Sequence, residues 1–495
     1  MMNLMTGKYP IGTSLSSWRH PEAWPKVSMQ IDVFVELAQI AERGKLDMMF
    51  LADGNAVRSM DEPLMFLANP EVNRPTTYDP LLLMTVVAQH TKNIGLFCTA
   101  VTTYDEPYLL ARRFASFDHL SNGRACWNVV TGSYEIDALN FGLSKHVARS
   151  ERYERAEEFV EVCKGLWDSW DDGAFIEDKK TGHFIDPTKL QRLNHVGKHF
   201  SVQGPLNVAR SPQGYPVLAS AGQSEPGREL AAKHSDVIFS VALTKEEAQE
   251  FYADQKARVV RHGRDPEKVR ILPGVTCIVG RTEAEADELS EQLNDLVTPE
   301  VGVALLSKLC WTDLSGYPID GPLPDLSGEV LGMQSYRKSI DMLAKKENLT
   351  IRQMYKTVLP GEGHVVFKGN PVQIADQMEE WYRDKAADGF NIGIPVLPKS
   401  LNDFVDLVVP ELQRRGLFRK EYPGKTLRDT LGLSVPPAEP ILMGPGSWEE
   451  TKLMVGASVD GVLWCSSSAV TASSGDTVRR TISRPRVDPC DARVG

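Results

Sequence analysis

The sequence predicts a (β/α)₈ TIM barrel, and three observations support this prediction. Short apolar runs recur along the chain, helical patterns separate them, and most of these runs are apolar at consecutive positions instead of alternating with polar residues. Strands that are apolar on both faces and alternate with helices indicate a parallel sheet covered by helices. Seven such strands and a weak eighth near the N-terminus suit a closed barrel better than an open doubly wound sheet.

The strands and helices alternate through the chain. The seven clear strands are predicted at 46–53, 94–103, 124–131, 215–222, 236–243, 269–280 and 390–397. The helices are predicted at 30–45, 78–92, 106–123, 150–170, 226–235, 245–263 and 370–389. Several helices end in Gly or Asn before the next strand, as a helix C-cap does.

The domain organisation follows from the segments between these elements. We expect a barrel domain over residues 1–437, with one insertion of loops and short strands at about 170–214 and a mainly helical one at about 284–370. In a barrel such insertions lie on the loops at one mouth, where they can cover a site. Residues 438–495 lack a sustained period, and their second half is rich in Ser and Arg, so we expect a disordered or loosely attached tail. An ordered extension that packs on a neighbour is the alternative.

Composition excludes several classes of partner. The formal net charge of −11 provides no basic field for nucleic acid or an anionic membrane. The seven cysteines are scattered without metal-type spacing, so we expect no metal site and a reducing, cytoplasmic environment. We also predict no membrane span, because no window reaches the roughly 18 apolar residues that a span needs.

Polar side chains stand at the ends of three successive strands. Asp53 ends one strand in "FLADG", Thr99 lies in "CTAVTTY", and Asn128 lies in "RACWNVVT". The carboxyl ends of barrel strands face the mouth where ligands bind, so these groups are expected to converge on one pocket. For Asp53 the alternative is a helix N-cap.

The segment "YPVLASAGQSEPGRELAA" predicts a strand, a turn of small residues and a helix that opens at Glu225. Such a turn is an anion site, because free N–H groups and the helix dipole face outward. No Gly-Lys-Ser/Thr and no G-x-G-x-x-G follows, so a triphosphate or dinucleotide is disfavoured. Two alternatives remain: a monophosphate held by Ser224 and the turn N–H groups, or a structural turn without a ligand.

Three further residues are candidates near this mouth. Arg149 and Tyr153 lie at the start of a helix for which Ser150 is the predicted N-cap, and they are placed to reach an anion, although a solvated helix face is the default interpretation. His20 lies in the Pro-bounded loop "SSWRHPEAW" and is either catalytic or structural.

Taken together, the motifs resemble the bacterial-luciferase-like flavin monooxygenases. The segments that carry the resemblance are "ERGKLDMMFLADG", "TYDEPYLLARRFASFDHLSNGRACWNVVTGSYEIDALNFG", "RYERAEEFVEVCKGLWDSWDDGAF", "HFSVQGPLNVARSPQGYPVLASAGQSEPGRELAA" and "TLRDTLGL". Within this family, the motifs resemble the branch of nitrilotriacetate monooxygenase component A and dibenzothiophene sulfone monooxygenase. The resemblance covers about residues 18–435 and not the tail.

The resemblance implies a barrel that takes reduced FMN (FMNH₂) from a separate NAD(P)H:flavin reductase and reacts it with O₂. A C4a-(hydro)peroxyflavin then oxygenates a small organic substrate. Carried over motif by motif, the resemblance places Asp53, Thr99 and Asn128 near the isoalloxazine ring. It places Arg149, Tyr153 and Ser224 toward the ribityl chain and phosphate. Because the cofactor carries the oxygen chemistry, the protein mainly orients the flavin and substrate and excludes water.

The resemblance leaves the substrate class open. The first strand is weak and "GSYE" after "WNVVT" departs from the family pattern, so neither the substrate nor the role of His20 as proton donor transfers. An F420-dependent dehydrogenase of the same barrel superfamily and a non-catalytic flavin-binding protein are the alternative functions. Relatives are commonly dimers or tetramers, so we expect a homo-oligomer.

Overall fold

The computed structural model describes residues 1–7, 11–14, 16–57, 77–132, 134–326, 328, 334–358, 360–361 and 363–438. The predicted tail at 438–495 lies outside the described residues except for its first position. Of the helices within these ranges, none has both the length and the apolar content needed to cross a membrane.

The strands are numbered along the chain. They are β1 Asn3–Thr6, β2 Met48–Leu51, β3 Gly95–Val101, β4 Ala125–Val130, β5 His195–Val196, β6 Ser201–Val202, β7 Val217–Ser220, β8 Val237–Ser240, β9 Arg270–Val279, β10 Val365–Gly369 and β11 Gly389–Gly393. Eight of them form a closed parallel barrel in the order β1-β2-β3-β4-β7-β8-β9-β11, and β11 pairs back with β1. The predicted TIM barrel is confirmed.

The α-helices surround this barrel. They are α1 Ile31–Arg43, α2 Pro80–His90, α3 Pro107–Leu120, α4 Glu135–Leu139, α5 Arg149–Trp167, α6 Glu225–His234, α7 Lys245–Arg261, α8 Glu283–Asp295, α9 Pro299–Cys310, α10 Gln334–Glu347, α11 Ile351–Val358, α12 Pro371–Arg383, α13 Lys399–Asp403, α14 Val409–Arg414 and α15 Leu427–Leu431. A π-helical turn at Phe404–Val408 joins α13 to α14.

Side chains of the barrel strands alternate between its interior and the helix layer. Met48, Phe97 and Cys126 belong to an apolar cluster inside the barrel, which we call the inner cluster. The neighbouring Trp127 instead packs in the cluster between the strands and the helices. Because strand side chains have a period of two, a residue two positions beyond an inner residue also faces the interior. This alternation decides which polar groups reach the mouth from inside the barrel.

The N-terminal strand is the weak one that the sequence indicates. β1 has four residues, all buried, and it is held in parallel between β11 and β2. It completes the ring because both of its neighbours supply partners, although its sequence "NLMT" has little β preference.

Two long segments interrupt the strand–helix alternation. The first, after α5, contains the antiparallel pair β5–β6 and a 3₁₀ turn at Pro187–Lys189. The second, between β9 and β11, contains α8 to α11, and its own apolar cluster includes Leu306, Ile340 and Tyr355. It also contains β10, which was not predicted and which pairs with the outer half of β9.

Candidate functional site

Two strand-end residues form a hydrogen-bonded chain across the inner face of the barrel. Thr99 on β3 and Asn128 on β4 are register partners. The Thr99 hydroxyl donates to the Leu51 carbonyl at 2.9 Å, and the Asn128 amide nitrogen donates to Thr99 Oγ1 at 3.0 Å. These bonds fix the orientation of the Asn128 amide.

The other end of this amide has no partner in the described part of the chain. Asn128 is 5% exposed, and its Oδ1 accepts no hydrogen bond there. An unsatisfied buried acceptor costs about 1–3 kcal/mol, so its persistence points to a ligand that donates an N–H or O–H. Asp53 lies two residues beyond β2 and is half-buried on the same rim.

The predicted anion turn forms at the start of α6. Ser224 is the N-cap residue, but its side chain makes no capping hydrogen bond. Its hydroxyl instead donates to the Tyr153 hydroxyl of α5 at 3.4 Å. The first bond of the helix runs from Arg228 N–H to Ser224 C=O, so the earlier N–H groups have no intrahelical partner.

Close packing holds this turn against α5. A Cβ atom at Gly222 or Gly227 would lie 2.9 Å from the other glycine's Cα, and 3.3 Å or 3.0 Å, respectively, from the Tyr153 hydroxyl. The two glycines therefore let the turn, the first turn of α6 and Tyr153 meet. Arg149 is the first residue of α5 and is exposed, four positions before Tyr153 and hence on the same helix face.

One detail of the predicted α5 start is wrong. Ser150 was predicted as the N-cap, but the helix begins at Arg149 and Ala148 is the N-cap. Ala148 makes no side-chain capping hydrogen bond. Ser150 was predicted because Ser is a preferred N-cap residue, but it lies inside the helix. The shift places Arg149 within the first helical turn.

The structure does not bring His20 into contact with the other predicted residues. His20 is 8% exposed, its Nε2 lies 3.2 Å from Gln292 Oε1 on α8, and its Nδ1 accepts the Glu22 N–H at 3.2 Å. Both ring nitrogens have protein partners. The catalytic role of His20 stays a prediction.

A further polar chain lies beside the ends of β3 and β4 and was not predicted. The Tyr104 hydroxyl lies 2.7 Å from His146 Nδ1, and Arg152 Nη1 lies 2.6 Å from His146 Nε2. A guanidinium only donates, so Nε2 is the acceptor, and the Nδ1 proton is given to the Tyr104 oxygen. Arg152 also donates to the carbonyl of Gly132.

This chain shifts the titration of its members. Burial and the Arg152 charge lower the pKa of His146, and burial, followed by the charge of Asp137, raises the pKa of Tyr104. Tyr104 therefore keeps its proton, and because its oxygen accepts from His146, its O–H remains available to donate as far as the described residues show. Tyr104 and His146 lie 42 positions apart, and no local motif connects them.

The described residues offer FMN a suitable set of groups at two places. Asn128 Oδ1 is an acceptor for an N–H of the flavin ring, and Ser224, Tyr153, Arg149 and the start of α6 suit a phosphate. Both places lie at the carboxyl ends of barrel strands, where ligands of this fold bind.

Comparison with known proteins adds the following. The family model described as luciferase-like monooxygenase matches residues 11–388. The N-acetyl-S-(2-succino)cysteine monooxygenase of Bacillus subtilis (strain 168) is 51% identical over 427 residues, which cover 86% of this chain and 95% of that protein. Nitrilotriacetate monooxygenase component A of Aminobacter aminovorans is 47% identical over 433 residues, with coverages of 86% and 95%.

A solved structure with a flavin is also similar. Riboflavin lyase RcaE, determined with modified FMN and its substrate riboflavin, superposes with a TM-score of 0.77 at 30% identity. The match covers 88% of this chain and 97% of that one.

Proposed function

Because this chain belongs to the luciferase-like monooxygenase family, we propose that it is the oxygenase component of a two-component, FMN-dependent monooxygenase. It takes FMNH₂ from a separate NAD(P)H:flavin reductase and acts on a small organic molecule. When bound, the reduced flavin supplies oxygen activation at its C4a position, so that one oxygen atom enters the substrate and the other leaves as water.

The observation that carries this proposal is the fixed amide of Asn128. Thr99 holds its Nδ2, and the buried Oδ1 has no partner in the described chain. Reduced flavin offers ring N–H donors that match such an acceptor. A merely structural Asn–Thr pair would leave this oxygen with a desolvation cost and no compensation.

The remaining predicted residues divide by position. We assign Asp53, Thr99 and Asn128 to the isoalloxazine ring, because they lie at or near the carboxyl ends of the neighbouring strands β2 to β4. We assign Arg149, Tyr153 and Ser224 to the phosphate end, because a cation, two hydroxyls and a helix N-terminus suit a doubly charged group. In these roles the chain binds and orients the cofactor and substrate and excludes water.

The test combines binding with turnover. Purified protein is titrated anaerobically with FMNH₂ and then supplied with a flavin reductase, NADH, O₂ and a panel of nitrilotriacetate, N-acetyl-S-(2-succino)cysteine and dibenzothiophene sulfone. We expect FMNH₂ to bind and a product to gain one oxygen atom only when all components are present.

Other outcomes separate the alternatives. Failure to retain FMNH₂ contradicts the proposal. Reduction of F420 by a substrate in the absence of O₂ supports an F420-dependent dehydrogenase. Flavin retention without any oxygenated product, on a panel widened to other small organic molecules, supports a non-catalytic flavin-binding protein.

A further inference from the structure

A second wall of the barrel interior carries polar groups that the proposed cofactor contacts do not use. On β9, Leu272 belongs to the inner cluster, so Gly274 and Thr276 face the interior as well. On β11, Asn391 pairs with Gly274 and Gly393 pairs with Thr276. These residues line the inner face of β9 and β11 from the middle of the strands toward the mouth.

Three polar groups on this wall are buried without a hydrogen-bond partner in the described ranges. They are Thr13 Oγ1, Thr276 Oγ1 and Asn391 Oδ1, and their residues are 6%, 1% and 6% exposed, respectively. Buried polar atoms in folded proteins are almost always paired, with protein, water or ligand. Three unpaired polar atoms on one wall therefore indicate a site for a polar ligand.

The two hydroxyls converge over a glycine. A Cβ atom at Gly393 would lie 2.6 Å from Thr276 Oγ1 and 3.3 Å from Thr13 Oγ1. Gly393 is not among the residues with positive φ, so its backbone conformation suits any residue. What glycine preserves here is the space between the hydroxyls. Thr13 is fixed beside this point because its N–H donates to the Ile394 carbonyl at 2.8 Å.

A second glycine on this wall, Gly274, allows a side chain to pack against the strand. A Cβ atom at Gly274 would lie 2.7 Å from His364 Nδ1, so the imidazole rests directly on the β9 backbone. The His364 ring also packs edge-on against Phe239 of β8, with 5.6 Å between centroids. The wall thus combines hydroxyls and an amide with an imidazole and an aromatic ring.

This wall lies across the barrel from the residues assigned to the flavin ring. In the strand order, β4 with Asn128 and β11 with Asn391 are four strands apart in either direction around the ring of eight. The residues assigned to the flavin ring therefore occupy the side of the interior at β4, and the opposite side, at β11, is left for a second ligand.

We propose that Thr13, Thr276 and Asn391 form a substrate subsite that binds a carboxyl or amide group. This inference rests on the proposed function, since it presumes that a flavin occupies the opposite wall. The threonine hydroxyls donate to a carbonyl-type oxygen, and Asn391 Oδ1 accepts the O–H or N–H of the same group. A purely hydrocarbon substrate satisfies none of these atoms.

The test replaces one hydroxyl by a methyl group of the same shape. The Thr276→Val protein, with and without bound FMN, is titrated calorimetrically with succinate, N-acetylalanine, benzamide and nitrilotriacetate. Losing one neutral hydrogen bond predicts about three- to tenfold weaker binding of the compounds that bind wild type. FMN affinity should not change, and the Tm should not fall, because the deleted hydroxyl has no partner among the residues that the structure describes. Gly393→Ala should abolish binding, because its methyl group occupies the space between the hydroxyls.

Thr6→Val is the matched control. Thr6 is equally buried on the neighbouring β1, but its hydroxyl already donates to the Ile392 carbonyl at 3.0 Å. This variant should lose thermal stability and keep ligand affinity, the opposite of Thr276→Val.

The outcomes separate this inference from the proposed function. If no panel compound binds wild type, or if Thr276→Val and Gly393→Ala bind the compounds as wild type does, the hydroxyls are only hydrated positions and the subsite is overturned. Failure of the proposed function appears separately, as missing FMN binding in both wild type and variant.

Discussion

Ser224 occupies a helix N-cap without using its side chain for capping, which makes it a sharp probe of the phosphate assignment. We predict that Ser224→Asp weakens FMN binding by at least about a hundredfold. Two like charges ~4 Å apart repel by about 4 kcal/mol at an effective dielectric constant of ~20. The fold should be kept, because Asp is a preferred N-cap and its charge suits the helix dipole. FMN affinity and Tm are the measurements.

Ser224→Asn is the control for this substitution. Asn has nearly the shape of Asp and caps helices equally well, but it is neutral. It should keep most of the FMN affinity. If the Asp variant binds FMN as tightly as the Asn variant, the phosphate lies elsewhere.

Sequence reasoning at the residue scale succeeds where the chemistry is local. Ser224 could be predicted because a strand, a turn and a helix start lie within a few positions of it. The polar chain of Tyr104, His146 and Arg152 could not be predicted, because it forms only after α5 packs beside the ends of β3 and β4. Asn391 and Thr276 could not be predicted either, because they lie inside apolar strands and come together on one wall only after the barrel closes.

At the scale of elements, the contact between the turn after β7 and the first turn of α6 depends on two glycines. Replacing glycine by alanine within a helix ordinarily adds about 1 kcal/mol of stability. For Gly227→Ala we predict the opposite sign, a loss of about 1–3 kcal/mol, because the new methyl group would lie 2.9 Å from the Gly222 backbone and 3.0 Å from Tyr153 Oη. The displaced turn should also bind FMN more weakly. Urea unfolding and FMN titration measure the two effects.

Gly316→Ala provides the comparison. Gly316 has no atom within 4 Å of an added Cβ and no positive φ, so its substitution should leave both quantities nearly unchanged. A Gly227→Ala protein as stable as Gly316→Ala would show that α6 and its preceding turn separate without cost.

The elements themselves were largely predictable. Six of the seven clear strands occur within their predicted segments, and β11 begins one residue before its segment and ends at Gly393. The agreement arises because runs apolar on both faces mark strands buried between a core and a helix layer. β10 was missed because "VVFKG" is only partly buried and follows a helical insertion. Its existence depends on the outer half of β9, which extends beyond the barrel's own pairings.

At the scale of the whole molecule, closure of the sheet creates the features that the sequence could not reveal. Alternation of strands and helices predicts a barrel. It does not say which polar side chains face the interior together, because that depends on register. A shift of one residue in β9 would turn Thr276 outward. Strand pairing therefore sets both the fold and the inner polar walls on which binding depends.

Buried titratable groups predict how the whole molecule responds to acid. Burial, followed by the charges of Lys164 and Lys233, lowers the pKa of His234 to about 2 from an ordinary 6.5. Below pH 6.5 the unfolded chain binds a proton that the folded chain refuses, so stability should fall by up to about 1.4 kcal/mol per pH unit. His146, whose pKa is also lowered, acts in the same direction.

Other groups facing His234 modify this response. Arg264 and His262 add to the repulsion, whereas the carboxylates of Glu157 and Glu161 lie nearby but already bind Lys233. Burial, together with these positive charges, keeps the imidazole neutral.

Asp118 opposes this trend. Burial raises its pKa to about 6 from 3.8, so between these values the folded chain binds the proton first and stability rises as the pH falls. We therefore predict that His234→Gln flattens the loss of unfolding free energy between pH 6.5 and pH 4, and that Asp118→Asn steepens it below pH 6. Urea unfolding at a series of pH values measures both slopes. Equal slopes in wild type and His234→Gln would mean that the folded protein binds this proton as readily as the unfolded chain does, which would contradict the lowered pKa of His234.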